Sequence, residues 1–355
     1  MITLHVFNPE HDIALASHLE HFTAPHAGRQ LRHDLGFLPV LWALPGDYVL
    51  VEEKDAAKEG LRRLGLSADS EMIDPSDLEA LAKDINIASS IKVSPWGWDI
   101  AIRHDLIQKG VSVDKLPTNA WLNTVRMMSH RAWASSHLLK PLRQIGGTAG
   151  ESFEMSSLQE VQSKLNELHE LVIKAPWSSS GRGVRYVKEM TPQLEGWINN
   201  VILRQGSIMV EPYYNKVYDF GMEFFSKSNG EIVYKGLSVF QTTNGAYTGN
   251  ILDDEEHKMA LLCQLAPVEL LTSIKNKIKE LLSTAFTNSY SGPFGVDMMI
   301  VREGRKLMIH PCVELNLRMT MGHVGLLIAE KYHLEEKVMR ITYNGDRYSM
   351  RLETL

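Results

Sequence analysis

Two segments of this 355-residue chain limit what it can fold into more than anything else in it. The first is Leu171-Val172-Ile173-Lys174, an apolar run closed by a lysine and followed by Ala175-Pro176-Trp177 and the small-residue stretch Ser178-Ser179-Ser180-Gly181-Arg182-Gly183. An ammonium at the end of such a run is expensive to desolvate unless an anion meets it, and a phosphate would serve. The stretch behind it offers hydroxyls and glycines whose bare backbone can approach phosphate oxygens and aim N–H groups at them. It is neither of the common phosphate loops, since no glycine precedes Lys-Ser or Lys-Thr and no G-x-G-x-x-G occurs. Taken alone, a Ser/Gly hairpin loop is an equal reading.

The second segment is sharper. Leu307 to Arg318 alternates as a strand does, with Leu307, Ile309, Val313, Leu315 and Leu317 on one face and Glu314, Asn316 and Arg318 on the other. Asp297 lies in the preceding apolar run Gly295–Val301, which Arg302-Glu303-Gly304-Arg305 joins to the second strand as a hairpin. Antiparallel pairing then brings Asp297 near Glu314. Two carboxylates and an amide oxygen suit Mg²⁺, a hard cation that takes its remaining ligands from phosphate and water. Arg318 is placed for a two-point contact with a phosphoryl group or a carboxylate. An exposed, salt-bridged hairpin is the alternative reading of the same residues.

In this order the motifs resemble those of the ATP-grasp superfamily, from about Leu116 to about Leu327. The resemblance implies an α/β (α+β) chain with the ATP-grasp fold behind an N-terminal Rossmann-like pre-ATP-grasp domain. It also implies roles. Lys174 would hold the α/β-phosphates and Ser178, Ser179, Ser180, Gly181, Arg182 and Gly183 would cover them. Glu211 and the backbone at Tyr213, in Ile208–Tyr214, would meet the adenine, and Asp219 the ribose. Lys235 is the match to a lysine on the γ-phosphate. Asp297, Glu314 and Asn316 match the metal ligands, with Arg318 as the trailing arginine. Where many members carry another phosphate-binding lysine, this chain reads Met128-Ser129-His130-Arg131, and Arg131 is the substitute.

The implied activity is an ATP-dependent ligase that activates a carboxylate, small-molecule or peptide, as an acyl phosphate for attack by an amine or thiol. ATP and Mg²⁺ are the implied cofactors, with Mn²⁺ as a substitute ion. Alternatives are a kinase of the same fold, which phosphorylates a small molecule, and a nucleotide-binding protein without turnover. The acid and the amine are not named by these motifs.

Composition is consistent with this and excludes other classes. A net charge of -6 argues against a generic nucleic-acid binder. No apolar stretch reaches the roughly 18 residues of a membrane span. Met1 to Phe7 lacks a basic leader and meets Glu10 and Asp12 early, so a cytoplasmic protein is expected, and a homodimer is the prior for assembly. Cys263 and Cys312 have no metal-ligand spacing.

Ile2 to Phe7 reads as a first strand, with Asn8-Pro9-Glu10-His11-Asp12 as the polar loop at its carboxyl end, where α/β sheets bind ligands. Strands are expected at Val40–Trp42, Tyr48–Val51 and Ile91–Val93, and capping boxes at Ser76–Glu79 and Ser157–Glu160. The expected domains are 1–115, 116–206 with the phosphate-covering loop, and 207–355 with the metal site. Six histidines fall in the first 33 residues without convincing ligand spacing and read as solvated. Trp96-Gly97-Trp98-Asp99 reads either as an aromatic wall for a ligand or as packing. Cys312 and His310 share the Glu314 face and read as packing rather than as a nucleophile and its base.

Overall fold

The computed structural model describes residues 2–67, 69–178, 183–243 and 246–355. The chain forms two compact units: Met1–Val125, Thr248–Asp254 and Arg318–Leu355 make the first, Arg126–Tyr247 and Glu255–Leu317 the second. This differs from the consecutive spans expected from the sequence, because the last segment belongs with the first unit.

In the first unit, β1 (Ile2–Val6), β2 (Tyr48–Leu50), β3 (Glu71–Ile73) and β4 (Ile91–Pro95) form a parallel sheet in the order β3-β2-β1-β4. Parallel strands are buried on both faces, and two apolar clusters cover them. Leu4, Val6, Leu50, Ile73 and Val93 pack with Ile102 and Leu106 of the helix Ile100–Gln108. Phe7, Leu38, Val49 and Trp96 pack with Val324, Ile328, Met339 and Met350 from the C-terminal segment, which explains why that segment joins this unit. The strand order reverses between β1 and β4, so the loops after them lie at the switch point where such sheets bind ligands.

In the second unit, β5 (Phe153–Met155), β6 (Leu171–Lys174), β7 (Val184–Val187) and β8 (Ile208–Pro212) form an antiparallel sheet in the order β5-β8-β6-β7. The helices Leu158–Leu168 and Pro192–Gln205 cover it through Val161, Leu165, Ile198 and Val201. β9 (Lys216–Ser226) pairs with β10 (Ile232–Thr243). After β11 (Ala246–Leu252), the strands β12 (Gly292–Glu303) and β13 (Lys306–Asn316) complete the row β13-β12-β9-β10. The expected hairpin is present: Glu303 pairs with Lys306 across Gly304-Arg305, and Gly304 takes the positive φ of 60° that the tight turn requires. In the first unit β11 pairs with β14 (Lys337–Tyr343), which pairs with β15 (Tyr348–Thr354).

Two local expectations change. Val40 and Leu41 lie in a 3₁₀ turn, Leu38–Leu41, not a strand: Pro39 favours a helical start, and the turn buries Leu38, Pro39, Val40 and Leu41 together. The first capping box is formed by Asp74 and Asp77, with Pro75 at the first helical position, so the helix starts before Ser76. The Ser157–Glu160 box forms as expected.

Candidate nucleotide and metal site

Lys174 closes β6, and the register with β8 sets Val172 opposite Glu211 and Lys174 opposite Met209. Lys174 and Glu211 are therefore diagonal neighbours on one face. Lys174 Nζ lies 2.6 Å from Glu211 Oε2, with side chains 8% and 6% exposed. Ser152 Oγ donates to the other carboxylate oxygen at 3.2 Å. The anion that the apolar run demands for its lysine is thus supplied within the protein by the next strand.

His310 of β13 is fully buried among these groups, its ring edge-on to Tyr214 at 5.5 Å. Gly150, at φ +122°, closes over it, and a Cβ there would sit 2.6 Å from the imidazole. Among the described residues neither ring nitrogen has a hydrogen-bond partner. Burial pushes its pKa down to about 4 against the pull of Glu211, so the ring is neutral near pH 7.

Arg131 starts a short helix, Arg131–Ala134, capped by His130. Its Nη1 pairs with Glu314 Oε1 at 2.7 Å, Nε donates to the Ala175 carbonyl at 3.1 Å, and Nη2 donates to the Ser178 carbonyl and Oγ, each at 3.3 Å. One buried guanidinium therefore ties Ala175 and Ser178 to Glu314 of β13. Ser178 and Gly183 approach closely: a Cβ on Gly183 would lie 2.3 Å from Ser178 Cβ, and the Gly183 carbonyl accepts from Ala175 N at 2.8 Å. Ser179, Ser180, Gly181 and Arg182 lie outside the described residues.

Asp297 faces Glu314 across the β12–β13 ladder. β13 is irregular here, because Met299 faces His310 while Asp297 faces Glu314, so simple alternation does not run through Pro311 to Val313. Asn316 Nδ2 donates to Asp297 Oδ2 at 3.0 Å. Two carboxylates, one of them bonded to a side-chain amide, are the hard-oxygen donor set that suits Mg²⁺.

The remaining expected residues are more dispersed. Asp219 accepts from Thr242 Oγ1 at 2.7 Å and pairs with Lys216. Tyr213 is half exposed, its ring 6.1 Å from that of Tyr186. Lys235 is exposed at a bulge of β10 between Tyr234 and Gly236. Arg318 falls in the first unit, where Asp12 grips it. The Arg131–Glu314 pair and the burial of His310 have no sequence signal, because both depend on strands and helices remote in the chain. Cys312 is buried and its thiol pKa is raised by burial, which leaves no thiolate nucleophile near pH 7.

No family model and no curated protein matches the chain. Solved structures do. N5-carboxyaminoimidazole synthetase from Staphylococcus aureus, complexed with ADP, aligns over 97% of this chain and 83% of its own at 13% identity and a TM-score of 0.50. Biotin carboxylase from Campylobacter jejuni, in its β,γ-ATP complex, aligns over 92% and 70% at 14% identity and 0.52. The fold is ATP-grasp. The biotin carboxylase domain of the Hydrogenobacter thermophilus 2-oxoglutarate carboxylase, with MgADP, ADP and bicarbonate, aligns over 94% and 70% at 14% identity and 0.50. Within the ATP-grasp fold, Lys174, Glu211, Arg131, Asp297, Glu314 and Asn316 all belong to the second unit. No described helix is long and apolar enough to cross a membrane.

Proposed function

We propose that this chain is an ATP-dependent ligase that joins a carboxylate to an amine or thiol. The observation that carries the reading is the ATP-grasp fold with the pair Asp297–Asn316 and the pair Glu314–Arg131 on one hairpin and its neighbour. Support comes from the fold's neighbours, whose structures hold ADP, MgADP or a β,γ-ATP ligand. The carboxylate oxygen attacks the γ-phosphorus, the bond to the β-phosphate oxygen breaks, and ADP leaves. The amine then attacks the acyl carbon, phosphate departs, and the amine gives up a proton.

Each residue has a role in this scheme. Lys174 binds the α/β-phosphates, and Glu211 with the backbone at Tyr213 orients the adenine. Asp219 takes the ribose, and Ser178 to Gly183 exclude water from the phosphates. Asp297, Glu314 and Asn316 would hold magnesium, which would supply charge neutralisation during transfer. Arg131, Lys235 and Arg318 offset charge that develops in transfer, a chemistry of positioning and electrostatics. Arg131 pairs with Glu314 at 2.7 Å, which sets its guanidinium beside the proposed metal ligands. The substrates are a small-molecule or peptide carboxylate and an amine acceptor. We read the protein as cytoplasmic and homodimeric.

The test is ATP-dependent phosphate release across a panel of amino acids, peptides and other carboxylates, with hydroxylamine present. An activating acid should yield ADP and a hydroxamate. An acid-stable phosphoester with no hydroxamate would replace the ligase with a kinase.

A further inference from the structure

The loops after β1 and β4 are joined by a set of buried side-chain contacts. Asn8 Nδ2 donates to the Gly97 carbonyl at 2.9 Å and to Asp99 Oδ2 at 3.3 Å, while Gly97 N donates back to Asn8 Oδ1 at 3.3 Å. His11 Nδ1 lies 2.9 Å from Asp99 Oδ2, and both side chains are 2% exposed. Asp99 Oδ1 also accepts from Ile102 N at 2.8 Å, capping the helix Ile100–Gln108. Gly97 is required here, since a Cβ would sit 2.6 Å from the His11 ring. A side-chain lattice of this kind fixes the backbone from Asn8 to the helix His11–Ser17 against the end of β4.

Asp12 projects from that fixed helix onto Arg318. Nε of Arg318 lies 3.2 and 3.1 Å from the two carboxylate oxygens and Nη2 lies 2.8 Å from Oδ2, a side-on contact between residues each 15% exposed. The backbone beside the arginine is held as well. Met319 N donates to the Trp96 carbonyl at 2.8 Å, and Arg318 Nη1 donates to the Met319 carbonyl at 3.0 Å. Trp96 is itself fixed edge-on to Phe7 at 5.0 Å. All of these residues belong to the first unit.

We propose that Asp12 is a positioning residue for Arg318, and that Asn8, His11, Gly97 and Asp99 exist to hold Asp12. An exposed arginine loses rotamer freedom when it binds an anion, and a guanidinium oriented beforehand does not. The inference rests on the proposed role of Arg318 toward a transferred phosphoryl group. It assigns Asn8-Pro9-Glu10-His11-Asp12 and Trp96-Gly97-Trp98-Asp99 to orienting that arginine rather than to binding a ligand.

Two measurements on the full chain test it. In the first, phenylglyoxal modifies arginines and peptide mass spectrometry reads Arg318. Asp12→Asn and Gly97→Ala should each raise modification of Arg318 several-fold over the wild type, with other arginines unchanged. In the second, calorimetry compares MgADP with MgADP plus aluminium fluoride, a mimic of the phosphoryl group in transfer. Asp12→Asn should weaken the fluoride complex by roughly ten- to a hundredfold, the scale of losing an orienting partner, with MgADP affinity unchanged. Asp12→Glu should recover part of the loss. A merely structural role would lower both affinities and the melting temperature together. Unchanged Arg318 modification in both variants overturns the proposal, as does equal weakening of both complexes. Failure of the wild type to bind MgADP would remove the nucleotide reading instead, and the modification experiment would then decide on Asp12 alone.

Discussion

Replacing Lys174 by Met should destabilise the protein, not only weaken nucleotide binding. The substitution keeps an unbranched side chain, one heavy atom shorter, and removes its charge, leaving the Glu211 carboxylate 6% exposed with Ser152 Oγ as its hydrogen-bond donor among the described residues. Removing one partner of a buried ion pair strands the other and costs about 3–5 kcal/mol. Exposure this low means solvent screening offsets little of that. Glu211→Gln strands the ammonium and should cost a similar amount. The double variant removes both charges, so its cost should fall short of the sum by roughly 2–3 kcal/mol, the coupling expected of residues in contact. Urea denaturation of the four proteins completes the cycle. If the two single costs simply add, Lys174 and Glu211 do not depend on one another and the argument from desolvation fails.

Other outcomes follow from the same site. The folded pKa of His310, about 4, lies below its ordinary 6.5, so the unfolded chain binds more protons between those values. The stability that depends on the neutral ring is complete above pH 6.5 and is lost as pH falls toward 4, about 3 kcal/mol in all. His310→Leu should remove that part of the pH dependence in urea titrations, and parallel curves for the two proteins would contradict it. Gly150→Ala should cost at least 1–3 kcal/mol by strain, roughly the penalty of a disfavoured backbone, with the clash against His310 added; an unchanged urea midpoint would refute it. Glu314→Gln removes the charge partner of Arg131 and should cost about 1–3 kcal/mol, as for a buried polar group left short of its partner. Both Glu314→Gln and Asp297→Asn should abolish phosphate release, and wild-type release at limiting Mg²⁺ in either would overturn the ligand set.

The sequence carried the β12–β13 hairpin because alternation and the Gly304 turn are local signals, and these bring Asp297 near Glu314; the pairing itself needs the register shift beyond His310, which alternation does not signal. The lysine at the end of β6 was equally legible, as a charge at the edge of an apolar run. What it meets was not. Glu211 lies on β8, and only the β6–β8 register brings its carboxylate to Lys174. Arg131 offered a substitute for a phosphate lysine by position in the motif order, yet its ion pair with Glu314 needs a helix start packed on a distant strand. Asp12 and Arg318 are 306 residues apart, so no window of sequence could pair them. Val40 and Leu41 show the opposite failure: a short apolar run fits a strand or a buried turn, and Pro39 and burial decided for the turn.

Calorimetric melting with and without saturating MgATP is the direct test for a nucleotide site on this chain. A ligand bound only by the native state at a hundred times its Kd stabilises by about 2.7 kcal/mol. The wild-type melting temperature should rise by a shift of that order, dependent on Mg²⁺ and reduced in Lys174→Met relative to that variant's own baseline. A wild-type melting temperature unmoved by MgATP would contradict it.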